Sequence, residues 1–309
     1  MSVPRIRKAT TVDTTTGPRD ENRREMSRRA FTLAAAALIL AGCGEPDPRG
    51  PTGGVRDAVA VPPIGPSPST PAAAPQVPGK DMIVATFSGQ APRSWGLQIP
   101  GAASRLPAGT QGTALTFDCC GGPGGSGVDH ALIDTLQKTG TPATFFLNSR
   151  WIQANPGPAK SLAENPLFDI GNHGTRHVPL SVSGRSAYGI PGTASPAEVY
   201  DEIMVNQEAL FRLTGRQARY FRPGTAYYDE ISVAVVRKLG LIPVSFSING
   251  DGGATFPAPV VFQEVGAAKA GDIIIAHANH PASGTAAGIA RALTVLQTTG
   301  LKPGRLDVI

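Results

Sequence analysis

Two histidines four residues apart, His173 and His177 in GNHGTRH (171–177), are the first residues in this chain whose types and spacing suggest chemistry. On a turn of helix that spacing puts both imidazoles on one face, able to share a metal ion. The chain has five histidines, so a chance pair of exposed or capping groups is the alternative. Other polar residues close apolar runs. Asp118 ends ALTFD (114–118) ahead of a glycine-rich loop, which either holds its carboxylate at the mouth of a core or makes it a loop cap. Arg222 ends ARYFR (218–222) before a proline, placed either to pair with a carboxylate in a cavity or to form a weak rim ion pair. Asp251 lies among glycines in SINGDGGAT (247–255), the composition of a turn. His277 ends DIIIAH (272–277), where a satisfied core histidine is the ordinary reading of a lone case.

The elements that must position these residues read as short apolar runs alternating with longer amphipathic segments, the pattern of a parallel α/β sheet or barrel. Strands are predicted at 114–118, 143–148, 168–172, 218–222, 241–246 and 272–277. The polar residues then fall at the C-terminal ends of strands, the face on which such folds build their sites. Asp129, Ser195 and Ser283 are the candidate N-caps of three helices, each closing on glycine. The last of these helices puts Ile289, Leu293 and Leu296 on one face. Residues 81–111 are less regular and are expected to form a small hairpin or extension.

With 309 residues and the chemistry placed after residue 110, the expectation is one domain of roughly 230 residues behind a non-globular leader. A hydrophobic content of 41% with 17% charged residues fits a globular α/β protein. The formal charge of +5 is concentrated in residues 1–29, and the remainder carries no basic stripe interleaved with aromatics, which argues against nucleic-acid binding. From Met26, MSRRAFTLAAAALILAGCG joins two arginines, an apolar stretch and small residues ending in a cysteine, the build of a signal peptide rather than a membrane span. SRRAFT (27–32) resembles a twin-arginine export signal, and LAGC (40–43) resembles the lipobox at which a bacterial lipoprotein is cleaved and Cys43 acylated. An uncleaved anchor with Cys43 incidental is the alternative. Residues 1–25 are polar, and Met26 is the expected start of translation. The expected organisation is a leader over 1–43, a Pro/Gly/Ala-rich tether over 44–80 and a catalytic domain over 81–309, held by lipid on the outer face of a bacterial cytoplasmic membrane.

In order, TFDCCGGPGG (116–125), GNHGTRH, YFRPGTAYYDE (220–230), SINGDGGAT and IIIAH (273–277) resemble the polysaccharide deacetylases with a NodB-homology domain, over about residues 112–309. The likeness is to a branch in which TFDDG is replaced by a TFD…CGG form. The resemblance implies a distorted (β/α) barrel and metal-dependent removal of N-acetyl groups from amino sugars of a peptidoglycan or chitin-like glycan. It also implies roles: His173 and His177 as metal ligands, Asp118 as the base, and Arg222 keeping that carboxylate ionised and oriented. His277 matches the general acid, supported by Asp251. A backbone N–H near Thr225 would stabilise the oxyanion, and Ile275 would shape the acetyl pocket.

Two departures bear on this. Cys119 stands where the family places a second aspartate that completes the metal site. Its thiolate would give a His₂Cys site suited to zinc; Asp118, Asp129 or water filling the position, and a site that binds metal weakly or not at all, are the other readings. A Cys119–Cys120 disulfide is disfavoured, because adjacent Cα atoms are about 3.8 Å apart, below the usual disulfide range. RPGT (222–225) lacks the aromatic residue usual after the proline, and Tyr227 close behind becomes a candidate for the wall of the sugar groove. Two other functions stay open: hydrolysis of an acetyl ester or another amide on the same fold, and catalytically silent glycan binding.

Overall fold

The computed structural model describes residues 77–307. The export signal, Cys43 and the tether up to residue 76 lie outside the described residues. In chain order the elements are α1 Lys80–Phe87, β1 Trp95–Gly96, β2 Thr113–Cys119, α2 His130–Lys138, β3 Ala143–Leu147, α3 Ser149–Ala154, α4 Pro156–Glu164 and β4 Phe168–Asn172. They continue with α5 Pro196–Thr214, β5 Tyr220–Phe221, β6 Tyr228–Asp229, α6 Glu230–Lys238, β7 Ile242–Pro243, β8 Ile248–Asn249, α7 Ala258–Gly266, β9 Ile273–His277, α8 Thr285–Thr298 and β10 Pro303–Gly304.

The main sheet runs β7-β5-β4-β3-β2-β9-β8, with β10 beside β2, and its pairings are parallel. It curls into a half-barrel whose end strands are not paired with each other, so the expected distorted barrel is present in an open form. The central strands β2 and β3 are buried at every position, as expected of strands covered on both faces. The outer strands are shorter than their apolar runs predict. Pro243 has no N–H to donate to the ladder, and the chain leaves the sheet at Arg222–Pro223, so two residues pair where five or six were expected.

Alternation along β2 sorts its residues between two environments. Leu115, Phe117 and Cys119 join the apolar cluster beneath the helices, with Leu132, Trp151, Ile289 and Leu293. Ala114 faces the barrel interior, where Leu106, Phe146, Tyr220, Val244, Ile273 and Leu306 form a plug. Four residues along the same face, Asp118 stands opposite His277 of β9.

Asp129 and Ser195 cap α2 and α5 as expected, accepting from the N–H groups of Leu132 and Glu198, and α5 ends on Gly215 at φ 72°. Ser283 is not the cap of α8. Gly284 takes that place, and the Ser283 hydroxyl bonds to Thr285 instead. Ile289, Leu293 and Leu296 are buried on one face of α8 as predicted. Residues 81–111 do not form a hairpin: α1 packs on α5 and α6, and β1 pairs antiparallel with β6, more than 130 residues away in sequence. A partner so distant leaves no local signal.

Candidate active site

β2 and β9 deliver Asp118 and His277 side by side, and the loop after β4 brings in His173 and His177. Nη1 of Arg222 donates to Asp118 Oδ1 at 2.8 Å and to the Thr116 hydroxyl at 2.9 Å; Nη2 donates to the Ser245 carbonyl at 3.0 Å. The guanidinium is fully buried over the Phe146 ring, 4.3 Å from its centroid. His173 Nε2 lies 3.6 Å from the other Asp118 oxygen. Across the cleft, Asp251 accepts from the His277 N–H at 2.7 Å and from its Nδ1 at 2.9 Å, and the Thr285 hydroxyl donates to it at 2.9 Å. The structure therefore gathers Asp118, His173, His177, Arg222, Asp251 and His277 around one cleft.

Burial by itself would raise the Asp118 carboxyl, but His173, Arg222 and His277 together outweigh it and hold the group below its ordinary value of 3.8. Burial would likewise depress His277. The facing Asp251, with a further contribution from Cys120, reverses this and lifts the imidazole well above 6.5. Asp251 is lowered against its own burial chiefly by His277. The pair thus favours imidazolium facing carboxylate.

Cys119 does not reach the histidines. Its side chain lies in the apolar cluster with Leu115 and Phe117, where burial, then Cys120 and Asp118, push its thiol well above the usual range. Cys120 is the sulfur at the site, with Sγ 3.7 Å from His173 Nε2. The reason is the two-residue period of the strand: Asp118 points in, Cys119 out, and the next residue in again. Despite burial, His177, His173 and His277 hold the Cys120 thiol well below its ordinary value. Both cysteines are free. Asp129 caps α2 with one oxygen and is not part of the group of ligand atoms that converge with the two histidines.

The donor set suits a metal ion. One ligand atom each from Cys120, His173 and His177 lies within 4.8 Å of the others. His173 Nδ1 donates to the Arg222 carbonyl at 2.8 Å, which turns Nε2 towards the Cys120 sulfur, and His177 Nε2 is buried without a hydrogen-bond partner. Two imidazoles and a thiolate form a set that prefers a borderline-soft divalent ion.

The two histidines converge through a loop, not the helical turn that their spacing suggested. Gly174 is at φ 75° and His177 at φ 62°, and the rings meet edge to face at 5.0 Å. The loop is tied down by Glu202 of α5, a buried carboxylate that accepts the N–H groups of Thr175, Arg176 and His177 at 3.0–3.1 Å. Asn148 adds bonds to the carbonyls of His173 and Gly174. A Cβ on Gly174 would strike Glu202 Oε1 at 2.5 Å, and one on Gly224 would lie 2.5 Å from Cγ of His177. The glycine after Pro223 is thus the condition for the His177 ring to sit where it does.

The cleft holds about 490 Å³ and is lined by Asp118, His177, Thr225, Asn249 and His277 among the apolar side chains of Leu97, Tyr188, Ile190, Phe246, Phe256 and Ile275. Thr225 and Ile275 are both lining residues of this cleft. Tyr227 does not line the cleft; it stacks between Trp95 at 5.6 Å and Tyr188 at 5.4 Å, and Tyr188 takes the place on the wall. Sequence reasoning missed Cys120, Glu202 and Tyr188. Strand alternation past Asp118 could have found the first; a glutamate in a long helix and a tyrosine in a loop carry no distinguishing local signal.

Residues 106–244 match the family model described as polysaccharide deacetylase. Over 195 residues the chain is 31% identical to the peptidoglycan-N-acetylglucosamine deacetylase PgdA of Listeria monocytogenes, covering 63% of this chain and 38% of that protein. The chain therefore spans less than two-fifths of the length of the curated relatives it matches. A family 4 carbohydrate esterase from Streptomyces lividans, solved in complex with acetate, shares 25% identity at a TM-score of 0.52, over 63% of this chain and 92% of that one. PdaA of Bacillus subtilis, another family 4 carbohydrate esterase, shares 20% identity at a TM-score of 0.55, over 74% and 86%. A family 4 pseudoenzyme from Bacillus anthracis shares 22% at a TM-score of 0.55, over 66% of each chain. The last two are likenesses of fold.

Proposed function

We propose, for a chain whose residues 106–244 carry a polysaccharide deacetylase domain, that this protein removes acetyl groups from N-acetylated amino sugars of a peptidoglycan or chitin-like glycan, with zinc held by Cys120, His173 and His177. The observation that carries the reading is Asp118 and His277 side by side in register on adjacent strands at one cleft, each with its own buried ion partner, beside that donor set. A base and an acid with separate supports are what amide hydrolysis needs, because water must lose a proton and the departing amine must gain one.

When bound, zinc supplies the Lewis acidity that an unreactive amide carbonyl requires. Asp118 takes the proton of the attacking water, and Arg222 with Thr116 fixes which carboxylate oxygen is free to do so. A backbone N–H near Thr225, a lining residue of the cleft, would stabilise the oxyanion, and Ile275 would bound the space for the acetyl methyl. His277, kept protonated by Asp251, delivers its proton to the amine. The sequence likeness to PgdA, named for action on peptidoglycan N-acetylglucosamine, supports the wall glycan as substrate. Export and lipidation of Cys43 fit that substrate, and the mass of the membrane-extracted mature protein tests them.

Acetate release is measured from peptidoglycan, chito-oligosaccharide and acetylxylan, with zinc content read by elemental analysis. The expected outcome is turnover of the N-acetylated glycans that falls about a thousandfold in Asp118→Asn. Zinc is lost from Cys120→Ser but retained by Cys119→Ser. Equal zinc in both cysteine variants overturns the ligand set, and no release from any substrate by the zinc-loaded protein overturns the activity.

A further inference from the structure

The wall of the cleft on the β8 and β9 side is hydrocarbon. Ile275 lies two residues before His277 on the same face of β9, in register beside Asn249 of β8. Phe246 stands on the segment between β7 and β8, the two end strands that do not pair, and packs against the barrel plug. Leu97 is tied to that segment: the Ser245 hydroxyl donates to its carbonyl at 2.5 Å, and the Gln98 amide donates to the Phe246 carbonyl at 2.7 Å. Phe256 completes the wall. Its ring lies on the bare backbone of Gly252, where a Cβ would come within 2.4 Å of it, and its N–H bonds to the Asp251 carbonyl at 3.0 Å. The wall is thus built before any ligand arrives, and Leu97, Phe246 and Phe256 are each only partly buried, with carbon surface left facing the cleft.

That surface exceeds what an acetyl group can cover. Its single methyl, bounded by Ile275, leaves Leu97, Phe246 and Phe256 against water. The polar groups of the lining do not call for a polar extension either. Apart from the reacting groups no lining side chain is charged, and the Asn249 oxygen is already bonded to the Gly252 N–H at 3.0 Å. A hydrocarbon chain asks for no hydrogen bonds, and each methylene moved from water onto such a wall improves binding about fourfold. We propose that the cleft takes and cleaves N-acyl groups longer than acetyl, straight saturated chains of about four to six carbons, carried on an amino sugar. This rests on the amide-hydrolase reading above and deepens it by naming the acyl group. Water adds its oxygen to the acyl carbon and the C–N bond breaks. Asp118 takes the proton of that water, His277 gives one to the nitrogen, and a short-chain carboxylic acid leaves beside the free amine.

The experiment gives the zinc-loaded protein a β-1,4-linked glucosamine tetramer carrying N-acetyl, N-propionyl, N-butyryl or N-hexanoyl groups and reads release of free amine. The sugar is the same throughout, so its own contacts cancel in the comparison. Binding of the acetyl and hexanoyl tetramers is measured by calorimetry on chelated protein. The proposal expects kcat/KM to rise about fourfold per methylene from acetyl to butyryl, chiefly through a lower KM, and hexanoyl to stay above acetyl. In Phe246→Ala and in Phe256→Ala the hexanoyl-to-acetyl ratio shrinks severalfold, and Phe246→Leu keeps most of it. Rates that fall from acetyl onward overturn the proposal and leave the deacetylase intact. A rise that neither alanine variant alters overturns the role of this wall. Tighter binding of the hexanoyl tetramer, with no amine released from any substrate, supports the acyl wall and sinks the hydrolase reading. No amine and no preference in binding overturns the proposal.

Discussion

Asp118 and Asp251 are both buried carboxylates held below their ordinary pKa, yet the partners that hold them differ in permanence. Asp118 faces Arg222, a guanidinium that stays charged at any pH the fold survives, and one that no water reaches. Asp251 faces His277, which titrates and is partly exposed at the cleft floor. The first arrangement favours the ionised carboxylate, the form that can accept a proton. The second makes an imidazolium whose readiness depends on pH, with the carboxylate as its support. In the proposed hydrolysis both groups are reset each turnover, Asp118 by losing the proton it takes and His277 by regaining the one it gives.

Breaking the permanent pair should have the largest effect. Arg222→Met leaves Asp118 buried without its cation, and the domain is expected to lose about 3–5 kcal/mol in urea unfolding, with part regained when Asp118→Asn is added. Full stability of Arg222→Met would mean that the pair is not the support described here.

The titrating pair gives a smaller, pH-dependent effect. Because the folded state raises His277, its contribution is complete below 6.5 and fades as pH rises through the lifted value. Because the folded state lowers Asp251, its contribution is complete above 3.8 and fades as pH falls through the depressed value. Asp251→Asn should therefore be less stable than wild type by about 2–3 kcal/mol within that window, and the gap should close at both ends of a pH series of unfolding midpoints. The same variant should move the alkaline limb of the rate profile to lower pH, since its His277 gives up its proton earlier. An unmoved limb would take His277 out of the acid's role.

Glu202→Gln tests the support of the metal side and should be the mildest. The amide still has one oxygen to accept backbone N–H groups, so the fold persists, but the loop is held less firmly. Zinc affinity is expected to fall about tenfold by competition with a chromophoric chelator.

How much of this was legible in the sequence follows from what each residue depends on. The central strands were readable because β2, β3, β4 and β9 are apolar runs with a polar residue at or beside their C-terminal ends, Asp118, Asn148, Asn172 and His277, and the site face followed from those ends. Cys119 was the wrong sulfur because the family's motif was matched by position. The pleat of the strand, read on from an inward Asp118, would have turned Cys119 to the core and Cys120 to the site. The His173–His177 pairing was foreseen for the wrong reason: a left-handed loop pinned by Glu202, 25 residues beyond His177, achieves what a helical turn was expected to do. Tyr188 and the β1–β6 pairing depend on contacts between distant segments, and no local pattern carries them.

The neighbouring sulfurs also make the chain its own reporter. One thiol is held towards ionisation by three imidazoles, while the adjacent one is sealed among hydrocarbon and held towards its neutral form. A small alkylating reagent is therefore expected to react at Cys120 well before Cys119, two buried sulfurs separated by a single peptide bond.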